Sequence, residues 1–192
     1  MCANRFYIHD DIYEPFIDKF LKRVNSLTVG NGLEKDVDVG PMVTIQAKAN
    51  ALTVVSHAVD QGARIISQPN KGAGAFLEPV VLVDVTHSMD IVHQELFAPI
   101  ASIIRFKEEA EVIAMANDTN YGLAAYFYSQ NINRINRVME KLEFGMVGIN
   151  EGIISTEVAP FGGIKESGFG REGAREGLLE YMSTKYVCLG VS

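Results

Sequence analysis

IASIIRFKEEAEVIAMANDTNYGLAAYFYSQNINRINRVMEKLEFGMVGIN, residues 100–150, decides the class of fold. Residues 100–106 form an apolar run of strand length, and KEEAEVIAMAN, 107–117, has the composition of a short helix. Residues 123–128 are strand-like again. The next segment, 131–142, sets Ile132, Ile135, Val138 and Leu142 on one helical stripe, and GMVGIN, 145–150, restores an apolar strand. Strand, helix, strand, helix and strand at this spacing give βαβ units, in which parallel strands are joined by helices packed on the sheet. The predicted class is α/β.

Upstream the pattern continues. PVVLVD, 79–84, is a continuous apolar run, the mark of a strand buried on both faces, and ARIIS, 63–67, reads as another strand. Ile45, Ala49, Leu52, Val55 and Val59 recur every three or four residues, which predicts a helix with Gly62 as its stop. Residues 29–43, rich in Gly, Asp and charge, read as a surface loop. Ile12, Phe16, Ile17, Phe20, Leu21 and Val24 make 12–24 an amphipathic helix, with Asp10 or Asp11 as N-cap and Pro15 in its first turn. Downstream, 152–173 is glycine-rich and almost without periodicity, and a loop of that length is usually functional or an interface element. A closing helix at 173–183 and a terminal strand in KYVCLGVS, 185–192, are expected.

With 192 residues, 47% of them hydrophobic and 21% charged, the chain has an ordinary globular composition and one domain is the default. Its 17 Lys and Arg against 24 Asp and Glu give a net charge of −7, which disfavours nucleic acid or an anionic membrane surface as partner. No apolar run is long enough to span a bilayer, and the first residues lack the pattern of a signal peptide. The expectation is a soluble cytoplasmic protein. Its cysteines, Cys2 and Cys188, stand at opposite ends, so reduced thiols are expected and no metal-type Cys/His spacing occurs.

Gly168, Gly170 and Gly173 match G-x-G-x-x-G literally. A dinucleotide fingerprint, however, follows a buried strand, opens a βαβ unit and has an acidic residue about 20 positions on. Here loop precedes the glycines and too little chain follows, so a structural turn entering a helix is the better reading. Cys2 has no base near it in sequence, and His9, His57, His87 and His93 make no ligand pattern. Glu95, just before an apolar strand, puts a carboxylate at the head of a sheet strand, and the ends of parallel strands are where α/β proteins bind ligands. Ser155, Thr156 and Glu157 are polar groups that solvation alone explains. Composition and pattern thus reach an α/β domain with a conspicuous glycine-rich loop, and name no reaction.

The motifs CANRFYIHDDIYEPF (2–16), VGNGLEKDVDVGPM (29–42), QELFAP (94–99), ANDTNYGLAAYFYS (116–129), GMVGIN and NEGIISTEVAPFGGIKESGFGREG (150–173), with EGLLEY and KYVCLG after them, resemble the aldehyde dehydrogenases, most closely those acting on succinate semialdehyde. The resemblance runs the whole chain. It implies the three-layer α/β/α catalytic domain of that family, NAD or NADP as cofactor, a small aldehyde as substrate and a homo-oligomer joined through a strand at about 184–192. The family oxidises an aldehyde by attack of a cysteine thiolate, hydride transfer to NAD(P) and hydrolysis of the thioester.

Residue by residue, the resemblance makes Glu95 the carboxylate that hydrogen-bonds the nicotinamide ribose and Phe97 the ring beside the nicotinamide. Asn150 begins the loop closing the substrate funnel, and Phe161 is one of its aromatic walls. Ser155 stands where the succinate-semialdehyde enzymes bind the substrate carboxylate, a position often aromatic in members acting on apolar aldehydes. The matching nucleophile falls one position before Met1, with Cys2 the second cysteine of a C-x-C pattern, so no catalytic residue is expected within the chain. The coenzyme-binding domain, oxyanion asparagine, glutamate base and carboxylate-pairing arginines are likewise expected outside it. A dehydrogenase for glutarate semialdehyde or lactaldehyde, and a non-catalytic assembly or binding module, are the alternative readings.

Overall fold

The computed structural model describes residues 3–67 and 72–191, so Met1 and Cys2 lie outside the described residues. The chain divides into two compact units, residues 1–112 and 113–192, where a single domain is the default for this length.

In the first unit β1 (Phe6–His9) leads through a short 3₁₀ turn into α1 (Tyr13–Val24), and α2 (Ile45–Asp60) follows the long loop. Next come β2 (Arg64–Ile65), β3 (Val80–Val85), α3 (Asp90–His93) and β4 (Ile100–Phe106). The sheet order is β1-β4-β3-β2, parallel throughout except for β2, which pairs antiparallel at the edge. The ARIIS strand is therefore shorter than expected. Beyond Ile65 the edge continues irregularly, with the Ile66 N–H donating to Val81 and the Ser67 hydroxyl accepting the Val81 N–H.

Both central strands are buried on both faces, which the continuous apolar runs predict. Side chains alternate across a strand, so Val80 and Leu82 of β3 and Ile100 and Ile104 of β4 join Ala51, Val55, Ala58, Ile91 and Val92 on one face. Val81 and Ile103 join Ile8, Tyr13, Phe16 and Phe20 on the other. Helices thus cover both sides of the sheet, the α/β/α arrangement. Each fully buried aliphatic here, such as Leu82 or Ile103, contributes roughly 1.5–3 kcal/mol.

Two details of the helices differ from expectation. Neither Asp10 nor Asp11 caps α1: its N-cap is Ile12, without a side-chain bond, because the Asp10 carboxylate is engaged by Arg105. On α2 the buried face is Lys48, Ala51, Val55 and Ala58, whereas Ile45, Leu52 and Val59 are exposed. Alanines there let the helix approach the sheet closely. The Lys48 ammonium, buried with them, donates to the carbonyls of Gly72 and Gly74.

The helix α4 (Glu109–Asn117) begins in the first unit and ends in the second. There β5 (Tyr121–Gly122), β6 (Ala124–Phe127), α5 (Ile132–Lys141), β7 (Met146–Ile149), β8 (Ile164–Lys165) and α6 (Ala174–Leu179) follow. β6, α5 and β7 form the expected βαβ unit, with β6 and β7 parallel, while β5 and β8 pair antiparallel. The glycine-rich stretch therefore contains one short strand, and of the α5 stripe Val138 is buried while Ile132 faces solvent. The closing helix is only six residues long, and 183–191 form neither helix nor strand. A strand needs a partner, and none among the described residues pairs with that segment; Tyr186, Val187, Leu189 and Val191 are exposed.

Candidate active site

In the first unit the loop 94–99 between α3 and β4 carries Glu95 and Phe97. Both are exposed, Phe97 to 81%, and Glu95 has no hydrogen-bond or ion-pair partner among the described residues. The loop is held at its base: the Val80 N–H donates to the Pro99 carbonyl at 2.8 Å, and Ala98 is buried. It is also held from the side. The Asn4 amide donates from Nδ2 to the Gln94 carbonyl and accepts the Leu96 N–H at 3.1 Å, bracketing Glu95. Beside this runs a polar chain in which Arg5 donates to the Tyr7 hydroxyl at 3.3 Å and that hydroxyl lies 3.4 Å from His87 Nδ1.

Glu95 precedes β4 and so lies at the amino end of a parallel strand. The general α/β rule for ligands concerns carboxyl ends, and the strand-end reason for suspecting Glu95 is corrected accordingly. What the carboxyl ends of β3 and β4 do hold is a cavity of about 170 Å³ lined by Tyr13, Glu14, Arg64, Asp84 and Arg105. Its charges neutralise one another. Arg105 donates to Asp10 at 2.7 Å and Glu14 at 2.6 Å and stacks 3.8 Å from the Tyr13 ring centre, and Arg64 pairs with Asp84 at 3.1 Å. Hydrogen bonding to Arg105 holds the Asp10 carboxyl below its ordinary range, the same contact raises the Arg105 pKa, and burial raises that of the Tyr13 hydroxyl. With every charge matched, this corner is a structural brace.

In the second unit the side chain of Asn150, an exposed residue, is engaged by backbone. The residue sits at φ 56°, and its side chain accepts the Ser129 N–H and donates to the Ser129 carbonyl, each at 2.8 Å. Asn150 therefore anchors the start of the loop, while the Glu151 carboxylate accepts the N–H groups of Gly152 and Ile153. Ser155 follows, exposed, on this anchored turn. Phe161 is half-buried and exchanges both backbone hydrogen bonds with Glu172, at 2.8 and 2.7 Å.

Gly168, Gly170 and Gly173 have φ of 102°, 77° and 69°, and the last is the N-cap of the six-residue α6, which agrees with the structural-turn reading. Sequence reasoning assigned nothing to the residues that lock this turn. Lys165 donates to the carbonyls of Asn117 and Thr119 at the end of α4 and pairs with Glu143 at 2.7 Å. Arg171 donates to Gly163 and Gly170 at 2.8 and 2.7 Å, and Asn117 bonds Lys141 and Glu143 at the end of α5. Asn4, within the motif at 2–16, gives no sequence signal of its own either, since its partners are 90 and 92 residues away.

A sheet covered by helix on both faces, with one exposed carboxylate-and-ring loop and one anchored glycine-rich loop, defines an α/β scaffold presenting binding elements on loops. The aldehyde dehydrogenase family profile matches residues 1–187, and the chain belongs to that family. It is 50% identical over 192 residues to a glutarate-semialdehyde dehydrogenase of Pseudomonas aeruginosa and 46% identical over 193 residues to the NADP(+) succinate-semialdehyde dehydrogenase of Escherichia coli. These alignments cover 99% and 100% of this chain, and in each case the chain spans about 40% of the length of the relative. Among solved structures, an NADP-dependent enzyme of E. coli superposes with a TM-score of 0.96 at 46% identity, covering 100% of this chain and 40% of the other. A succinate-semialdehyde dehydrogenase from Burkholderia pseudomallei gives 0.95 at 44%, covering 99% and 40%. The aldehyde-dehydrogenase fold is thereby established.

Proposed function

We propose that this chain is the catalytic-domain part of an NAD(P)-dependent dehydrogenase that oxidises a short aldehyde bearing a carboxylate at its far end, succinate semialdehyde in the first place. The observation that carries the coenzyme half of the reading is the Glu95–Phe97 loop: an exposed carboxylate able to accept hydrogen bonds from ribose hydroxyls beside an exposed apolar ring. These groups suit a nicotinamide nucleoside, which when bound accepts the hydride removed from the substrate. In the proposed arrangement Glu95 orients the ribose, Phe97 shields one side of the ring from water, and Asn150 holds the substrate loop in place through Ser129.

Ser155 supplies substrate choice. A hydroxyl on a loop fixed at both Asn150 and Phe161 can donate to a carboxylate, which an aromatic ring at that position cannot. The reaction as a whole is proposed for the full-length enzyme, since this chain spans about 40% of the length of its relatives. Glutarate semialdehyde is the second substrate reading, favoured by the relatives of that name at 50% and 48% identity. It shares the aldehyde and distal carboxylate.

The test is Ser155→Ala in the full-length enzyme, with succinate semialdehyde and butyraldehyde compared. A hydrogen bond to a charged group is worth roughly 1.5–3 kcal/mol, so kcat/KM for the carboxylated substrate should fall by about one to two powers of ten and that for butyraldehyde should hold. An equal loss on both substrates would mean that Ser155 only shapes the loop.

A further inference from the structure

We infer that Asn4 is a positioning residue for Glu95. An asparagine side chain carries one amide donor and one carbonyl acceptor, the same pair that a peptide group offers, and here both are spent on the backbone on either side of residue 95: the Gln94 carbonyl and the Leu96 N–H. Gln94, Glu95 and Leu96 belong to no helix or strand, since α3 ends at His93 and β4 begins at Ile100. Asn4 itself stands two residues before β1, whose register is fixed by parallel pairing of Phe6 with Ile103. The amide therefore ties an otherwise irregular loop to the rigid start of the sheet, and sets the direction in which the exposed Glu95 carboxylate leaves it.

The inference rests on the proposed coenzyme role of Glu95 and extends it to a residue some 90 positions away in sequence. Asn4 acts only through the backbone of the loop. Its loss should weaken coenzyme binding selectively, raising the coenzyme KM by roughly tenfold for two hydrogen bonds to loop backbone, with the aldehyde KM unchanged. Asn4→Asp is a second probe, because it keeps the acceptor for Leu96 but sets a repelling oxygen against the Gln94 carbonyl; it too should raise the coenzyme KM, and a parent coenzyme KM in it would overturn the positioning role.

The experiment uses the full-length enzyme with Asn4→Ala, Asn4→Asp, Glu95→Gln and the Asn4→Ala/Glu95→Gln pair, read by hydrogen–deuterium exchange without ligand and by steady-state kinetics. Asn4→Ala should speed exchange in a peptide covering 94–97 while peptides from β3 and β4 keep the parent rates, which also reports an intact fold. The double variant should have the coenzyme KM of Glu95→Gln alone. Unchanged exchange at 94–97, or a loss in the double variant equal to the product of the two single losses, overturns the positioning role. Glu95→Gln by itself tests the reading beneath it: if that variant keeps the parent coenzyme KM, the coenzyme role of Glu95 fails, and the positioning role falls with it even where exchange has quickened.

Discussion

Asp10 shows how one residue can serve differently from what its place in the sequence suggests. Its position before a helix predicts a cap, yet its carboxylate pairs with Arg105, 95 positions on, and a contact that distant leaves no local pattern to read. The bond holds the Asp10 carboxyl below its ordinary 3.8. A carboxyl that is more acidic folded than unfolded contributes stability above about pH 3.8, and the contribution is lost as pH falls through the lowered value. Asp10→Asn should therefore lower the urea midpoint near neutral pH by a small amount, both partners being solvent-screened, and the gap should shrink as pH falls below 3.8 and close once the carboxyl is protonated in the folded state. A gap that persists in acid would locate the effect elsewhere. Glu95 and Phe97 are candidates through QELFAP, and Ser155 and Phe161 through the motif at 150–173; Asn4, Lys165 and Arg171 stand in motifs too but were not singled out, because their side chains act on backbone groups whose positions only the folded chain sets.

At the scale of elements, the strands were the most legible. β3 and β4 are buried on both faces, so hydrophobicity alone marks them, whereas the stripe on α2 misled because large residues at helical spacing ended in solvent and alanines faced the sheet. Lys48 is part of that same face. Lys48→Met keeps the stem and removes both donors to Gly72 and Gly74, and should cost about 1–3 kcal/mol in urea unfolding, the penalty for carbonyls left without a partner. The glycine-rich region is legible as a turn but not as a packed object. A Cβ on Gly145 would come within 2.1 Å of the Gly162 carbonyl oxygen, backbone against backbone. Gly145→Ala should destabilise by on the order of 3 kcal/mol, as overpacking does where nothing can yield, and a midpoint within error of the parent would show that the two segments are not in contact.

For the molecule as a whole, the alternation of strand and helix was enough to name an α/β class, and the long motifs were enough to reach the family; the division into two units was not visible, because α4 runs across it without a break in composition. The terminal segment is apolar and pairs with no strand among the described residues, and Tyr186, Val187, Leu189 and Val191 are exposed. Its proposed role is to pair with another subunit. Deleting 184–191 from the full-length enzyme should then lower the mass seen in sedimentation, and an unchanged mass would remove that role. The proposed substrate class is tested most directly by kcat/KM of the full-length enzyme for succinate semialdehyde, glutarate semialdehyde and butyraldehyde, followed as NAD(P)H formation. Recognition of a distal carboxylate predicts that both semialdehydes exceed butyraldehyde by at least about tenfold; butyraldehyde turned over as efficiently as either of them would contradict it.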